Sequence, residues 1–312
     1  MTSDSEIEGV ILAAGKGTRI QPFSHTFPKP LLPVLDKPLM VWQIEAMRDL
    51  GVVDVTVVIG HLGHEIVRSL GDGSRFGVRM HYVEQESMLG IAHAVAQLEP
   101  HLSRPFLLFL GDIFFETTNL ASMLDTFRAP DVSGVLAVKP ESNPAAIRKN
   151  FTVDLADDGT ITRVIEKPRH PRTDLKGCGL YLFDTTVFDA IRRTPRTALR
   201  DEYELTDAIQ IYIDYGYKLK PASVVERDVN VSTPSDLLDL NLRVLAQREL
   251  ERFVAPSATV GAGARLERCV VMDGASVAPG AQLVDCVALP GARVPSGEHA
   301  RTVFSADQAV TC

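Results

Sequence analysis

Short apolar runs alternate with mixed, amphipathic stretches through the first half of the chain. Residues 10–14, 55–59, 79–83 and 106–110 read as strands, the first and last as continuous buried ones. Between them, residues 39–50, 63–70 and 91–98 read as helices, the first closed by Gly51. Strand and helix in alternation predict an α/β fold: a Rossmann-like, mixed but mostly parallel sheet with helices on both faces. Ligands of such sheets gather at the carboxyl ends of the strands.

The middle of the chain is less regular. Strands are expected at 134–138, 151–155, 161–165 and 179–183, with turns at Asp157-Asp158-Gly159 and around 168–171. A helix is expected over 204–215. A last helix has a clean start: Thr233 as N-cap, Pro234 in the first turn and Asp236 completing a capping-box pattern. It is expected to run to about Arg252.

From Val254 the period changes. Val254, Val260 and Leu266 recur every six residues; Met272, Val277 and Leu283 nearly keep that step, with Ala and Gly between. One aliphatic per six residues resembles the hexapeptide repeat of a left-handed β-helix, here about two coils long. Such a segment is suited to packing on the rest of the chain or on another subunit. Cys269 and Cys286, seventeen residues apart, are expected side by side as small core residues rather than as a disulfide. The expected organisation is a main domain over 1–252, a β-helix over 253–300 and a tail over 301–312.

Composition narrows the chemistry. The 312 residues carry a net charge of −8 and are 45% hydrophobic, enough for a full core and adverse to nucleic-acid or anionic-membrane binding. The polar, acidic start does not resemble a signal peptide, and no apolar stretch approaches membrane-spanning length. Four cysteines without C-x-x-C spacing fit a reduced, cytoplasmic setting and no zinc site.

Against this acidic background, residues 9–35 contain Lys16, Arg19 and Lys29 and no carboxylate. The buried strand empties into a loop with Gly15 and Gly17, and Lys29 stands between Pro28 and Pro30. Glycines let backbone N–H groups approach a phosphate, while Arg and Lys supply charge. The loop is neither a P-loop nor a dinucleotide fingerprint, since G-x-x-x-x-G-K-[ST] is absent and Ile20 follows Gly15-Lys16-Gly17-Thr18-Arg19.

The string G-x-G-T-R-x-x-P, then P-K-P-L-L-P-V, resembles the signature of the sugar-1-phosphate nucleotidylyltransferases, closest in motif to the uridylyl- and thymidylyltransferases. Later segments follow in order over about residues 8–245: Gln85 with Leu89-Gly90-Ile91-Ala92-His93-Ala94, Gly111-Asp112, Glu166-Lys167-Pro168, Gly179-Leu180-Tyr181, Glu204-Leu205-Thr206-Asp207 and Thr233-Pro234-Ser235-Asp236. The resemblance implies transfer of a nucleotidyl group from UTP or dTTP to a sugar-1-phosphate, with Mg²⁺ as cofactor, in a homo-oligomer. It implies that Leu12, Ala14, Gly15, Gly17, Thr18, Gln85 and Gly90 bind the nucleotide, and that Arg19, Lys29 and Lys167 are catalytic contacts to phosphates. Glu166, Gly179 and Glu204 are implied at the sugar, with Asp207 less strongly. Asp112 and Asn230 are implied as metal ligands, Asp228 standing as a substitute for Asn230. His93 is expected to be structural. One departure concerns the sugar wall: many members have Gly where this chain has Thr152, within Asn150-Phe151-Thr152-Val153. Two other readings remain: a guanylyltransferase acting on mannose-1-phosphate, and a silent regulatory paralogue. The presence of Arg19, Lys29, Asp112 and Lys167 counts against the second, and the short repeat segment counts against an added acyltransferase.

Overall fold

The computed structural model describes residues 6–15, 17, 20, 23, 28–198 and 201–312. The chain forms two compact units, one of residues 1–15 and 43–228, the other of residues 16–42 and 229–312. The compact division therefore differs from a single cut after residue 252. The loop that follows the first strand groups with the C-terminal segment.

The first unit is built on a nine-stranded mixed sheet among the described residues. Its main path runs Ile161–Glu166, Phe151–Leu155, Leu175–Phe183, Phe106–Leu110, Glu8–Ala13, Asp54–Ile59, Arg79–Glu84. The last four strands are parallel. Leu175–Phe183 runs antiparallel to Phe106–Leu110, and Val132–Pro140 pairs antiparallel with it; Lys218–Ala222 is parallel to Val132–Pro140. Helices Ile91–Ala96, Val187–Ile191 and Leu205–Asp214 pack on one another, and their apolar faces join the sheet in one core around Val10, Leu108, Leu136, Phe151, Tyr181 and Tyr212. Helix Ala121–Phe127 packs on Val132–Pro140.

Most expected elements stand within two residues of their predicted ends. The expected strands at 134–138 and 179–183 extend further, to Val132–Pro140 and Leu175–Phe183. The last helix is shorter, Pro234–Gln247, and has the full reciprocal capping box of Thr233 and Asp236. The apolar pattern did not mark strands Ile113–Thr117, Lys218–Ala222 and Val225–Asn230, or helices Ala121–Phe127 and Val187–Ile191. These are short and owe their place to neighbouring elements rather than to a strong period of their own.

In the second unit, helix Pro234–Gln247 grips the ladder Pro33–Val34/Lys37–Pro38 through the fully buried Asn241. Its Oδ1 accepts from Leu35 N–H at 2.7 Å and its Nδ2 donates to Pro33 O at 3.2 Å. Beyond Arg252 the chain passes in rotation through three parallel ribbons. Paired strands lie seventeen residues apart, Phe253 with Val270, Thr259 with Ser276 and Arg265 with Gln282. The interval is sixteen in the last turn, Gln282 with Glu298.

At least one step in each turn is thus five residues rather than six. The core position after Leu266 is Val271, which pairs with Val254 and Ala288; Met272, expected there, faces away from this core although it is buried. A one-residue shift exchanges the two faces of a strand. Cys269 and Cys286 lie in this core as free thiols. Residues 301–312, expected as a tail, carry Thr302–Phe304, which joins the first ribbon, and Ala309–Thr311, which folds back antiparallel on it.

Candidate active site

Four parallel strands deliver their carboxyl ends to one edge of the first unit. Gly111 N–H donates to Leu12 O at 2.9 Å, and a Cβ on Gly111 would lie 2.7 Å from that oxygen, so only glycine lets the two strand exits meet. This sets Asp112, half-buried, beside the exit of Glu8–Ala13. Gln43, from helix Leu39–Asp49, pins the turn around Asp112 by donating to Leu110 O at 2.9 Å and Ile113 O at 2.8 Å. Ala14 closes on Gly60, where a Cβ would come within 2.9 Å of Ala14 O. Gln85 follows the outermost of these strands, with its own N–H on Ile59 O at 2.8 Å.

Gln85 is buried, and its Nε2 lies 2.9 Å from His93 Nδ1 and 3.5 Å from Gly90 O. The amide nitrogen is turned to the protein, so Oε1 points the other way. His93, expected to be structural, orients Gln85 and stacks on Tyr203 at 6.1 Å. Gly90 has φ +108°, and a Cβ there would sit 2.5 Å from Tyr203 O, which accepts from Ala92 N–H. Tyr203 carried no sequence signal.

The antiparallel strands bring a second group to the same edge. Gly179, with φ +77°, packs against Leu110 and Ile113, which flank the Gly111-Asp112 turn; a Cβ would lie 2.8 Å from Ile113 Cδ1. Glu166 ends its strand opposite Phe151 and pairs with Lys167 at 3.0 Å. Lys167 adopts φ 43° and donates its N–H to Asn150 O at 2.8 Å. Thr206 Oγ1 donates to Glu166 Oε2 at 3.4 Å, which ties helix Leu205–Asp214 to the strand end. Glu204, buried, is that helix's N-cap residue. Burial, helped by the Glu166 charge, pushes the Asp207 carboxyl above its ordinary value.

In the second unit, Gly17 has φ +60° and packs on Lys29, where a Cβ would meet Lys29 Cβ at 3.1 Å. Lys29 is buried in a single turn of 3₁₀ helix, and its Nζ donates to Asn230 Oδ1 at 2.8 Å. Ser232 Oγ donates to the same oxygen at 2.6 Å. Thr18 and Arg19 lie outside the described residues; Gly15 is exposed, and a Cβ there meets nothing.

Asp228 does not stand open as a substitute metal ligand. Its carboxylate is shared by Lys176, which donates to Oδ2, and Lys139, whose Nζ is 3.1 Å from Oδ1. Two ammoniums hold it where a cation would have to displace them. Beside this trio, burial and the Asp228 charge push the Cys178 thiol up to about 12, so it remains neutral. Among the described residues no three His, Cys, Asp or Glu groups converge as a metal cage. Asp112, a carboxylate at a strand end, is a hard-oxygen donor suited to a divalent cation that keeps most of its shell as water and phosphate oxygen.

Comparisons with known proteins place the chain in a family. Residues 8–247 match the model of the nucleotidyl transferase family. The chain belongs to that family. It is 36% identical to a glucose-1-phosphate thymidylyltransferase of Streptomyces griseus, over 78% of this chain and 67% of that one. It is 32% identical to the UTP–glucose-1-phosphate uridylyltransferase AglF of Haloferax volcanii, over 74% of this chain and 93% of that one. A solved structure of a Bacillus anthracis protein described as a putative glucose-1-phosphate thymidylyltransferase in complex with a sucrose superposes with TM-score 0.67 at 25% identity. It covers 75% of this chain and 94% of its own. No helix among the described residues is long and apolar enough to cross a membrane.

Proposed function

We propose that this member of the nucleotidyl transferase family joins a pyrimidine nucleoside triphosphate, UTP or dTTP, to a sugar-1-phosphate, releasing pyrophosphate. One observation carries the reading: Leu12, Ala14, Gln85 and Asp112 leave parallel strands at the same sheet edge that receives Gly179, Glu166 and Lys167 from antiparallel ones. Asp112 and Gln85 stand three strands apart, roughly 14 Å at ordinary strand spacing. That span suits an extended nucleotide, base at one end and phosphates at the other.

In the reaction an anionic oxygen of the sugar phosphate attacks the α-phosphorus of the triphosphate. A new P–O bond forms, the bond to the bridging oxygen breaks, and its electron pair leaves with pyrophosphate. The nucleophile is already ionised, so the protein's task is alignment and charge neutralisation rather than proton removal. Lys29 and Arg19 are assigned to the triphosphate, Arg19 to the developing charge on pyrophosphate. Lys167 is assigned to the sugar phosphate. Glu166, fixed by Lys167 and Thr206, accepts from sugar hydroxyls. Gln85 presents Oε1 to the N3–H of uracil or thymine, its nitrogen being held by His93. Asp112 and Asn230 are the residues that would hold Mg²⁺, which when bound supplies charge neutralisation at the phosphates.

The domain reading is proposed likewise: residues 1–252 catalyse, and residues 253–300 wind as a short left-handed β-helix that serves assembly of a homo-oligomer. Four free thiols suit the reducing cytoplasm. The deciding experiment is a pyrophosphate-release panel that crosses the common NTPs with hexose-, hexosamine- and heptose-1-phosphates. Turnover with UTP or dTTP is expected, and inactivity with every pair removes the reading.

A further inference from the structure

Gln85 is only 5% exposed, yet one end of its amide stays open. Its Nε2 has two neighbours, His93 Nδ1 at 2.9 Å and Gly90 O at 3.5 Å. Its Oε1 accepts from none of the described residues, and it is not among the sealed side-chain oxygens that lack a partner. A buried side chain thus offers one accessible acceptor just beyond the strand Arg79–Glu84.

The sense of the amide follows from its surroundings. Gly90 O is a carbonyl and can only accept, so the amide end that faces it is the NH₂ group. The same NH₂ faces His93 Nδ1, so Nδ1 accepts and the ring proton sits on Nε2. The reverse orientation would set Oε1 against the Gly90 carbonyl, acceptor to acceptor.

The imidazole is itself held. It stacks on Tyr203, with ring centroids 6.1 Å apart and planes inclined by 25°. Tyr203 N–H donates to Leu89 O at 2.7 Å, and Ala92 N–H donates to Tyr203 O at 3.0 Å. These two bonds clamp the start of helix Ile91–Ala96, which carries His93, to the segment that carries its stacking partner. The Nδ1 lone pair is thereby aimed at a fixed point.

We infer that His93 is a positioning residue for base selection: it holds the Gln85 amide with Oε1 outward, so that the site takes a base with a ring N–H and refuses one with a bare ring nitrogen. The inference rests on the nucleotidylyl-transfer reading above and deepens it. Uracil and thymine present N3–H, which Oε1 accepts. Cytosine is the same size, but its N3 carries a lone pair, and against Oε1 it meets acceptor with acceptor. An amide free to turn would offer its NH₂ to cytosine and lose the distinction. Comparing UTP with CTP therefore isolates hydrogen-bond sense from pocket size. A polar group left unpaired in a closed site is costly, which is the source of such selectivity.

The test measures kcat/KM for UTP and CTP by pyrophosphate release, with whichever sugar-1-phosphate turns over fastest in the panel above. It also measures Kd for each nucleotide, in the native chain, His93→Phe and His93→Asn. Phe keeps a ring for Tyr203 and removes the acceptor. Asn loses the ring and places an amide oxygen where Nδ1 stood. The native chain is expected to favour UTP by about 100-fold or more, and His93→Phe to lose about tenfold or more of that ratio. The loss should appear in Kd and KM for the nucleotide, with KM for the sugar phosphate unchanged. His93→Asn should keep most of the preference. Thermal unfolding checks the fold of each variant, and His93→Leu repeats the comparison if the Phe variant unfolds. A UTP preference that survives removal of the acceptor overturns the inference. So does an equal loss in His93→Asn, which would assign the effect to the ring alone. Inactivity with every nucleotide and sugar instead rejects the transfer reading, and the Kd ratios then still decide whether His93 sets the choice of base.

Discussion

In the parallel half of the central sheet, backbone meets backbone at the site edge; in the mixed half, charged side chains meet one another. Gly111 against Leu12 and Gly60 against Ala14 bring strand exits together with no room for a Cβ, and Gly90 does the same against Tyr203. Across the sheet, Lys139, Lys176 and Asp228 form one mostly buried group, and Glu166 is held by Lys167 and Thr206. The difference suits two ligands. A nucleotide is approached closely along its length by main chain and small residues, whereas a sugar phosphate is selected by discrete polar groups.

Substitutions should divide along the same line. The largest expected effect is on stability in the mixed half. Asp228→Ala strips the buried Lys176 and the half-buried Lys139 of their shared partner and should cost about 3–5 kcal/mol in denaturant unfolding. A loss under about 1 kcal/mol would show that water already screens the trio. Next comes Asp112→Ala, at the meeting of the two halves. Pyrophosphate release should fall by about 100-fold or more with an unchanged unfolding midpoint, as for loss of a metal-holding group. Full activity would remove Asp112 from the site.

Gly90→Ala probes the backbone mode. With φ +108° and 2.5 Å between the new Cβ and Tyr203 O, strain of about 1–3 kcal/mol is expected. It should appear mainly as a raised KM for the nucleotide, while KM for the sugar phosphate stays near its starting value. A shift confined to the sugar phosphate would contradict the division.

The smallest effect concerns the opposite, amino-terminal end of the parallel strands, where this half does use charges. Arg79, and with it Arg104, donates to Asp54 and holds its carboxyl below the usual range. The folded value lies below the unfolded one of about 3.9. The stabilisation is therefore complete above that pH and is lost as pH falls through the folded value. Thermal midpoints of the native chain and Arg79→Met should differ slightly near neutrality and converge in acid. Added salt should narrow the gap, since Arg79 is half exposed.

The parallel half was the more legible in sequence because its signals are local. Apolar runs with turn residues at their ends gave strands 8–13, 54–59 and 106–110 to within two residues, and glycines marked where backbone had to pass closely. Asp112, Gln85 and Gly90 could be named from one stretch of chain each. The mixed half hid its chemistry. Lys139, Lys176 and Asp228 come from three separate strands with no spacing to link them, and Asp228, offered as a metal ligand, is claimed by the two lysines. His93 and Tyr203 likewise meet across more than a hundred residues.

Sequence by itself determined the α/β rhythm, the capping box at Thr233 and the family, because each depends on short-range periodicity or on a contiguous motif. Tertiary structure alone decided that Val271 rather than Met272 enters the coil's core. It also decided that Gln85 turns its nitrogen to His93, and that two lysines and a threonine from three strands line one row. The reason is register. Which of two adjacent residues faces inward, and which distant charges become neighbours, follow from how strands align across the sheet, and no local pattern encodes that alignment.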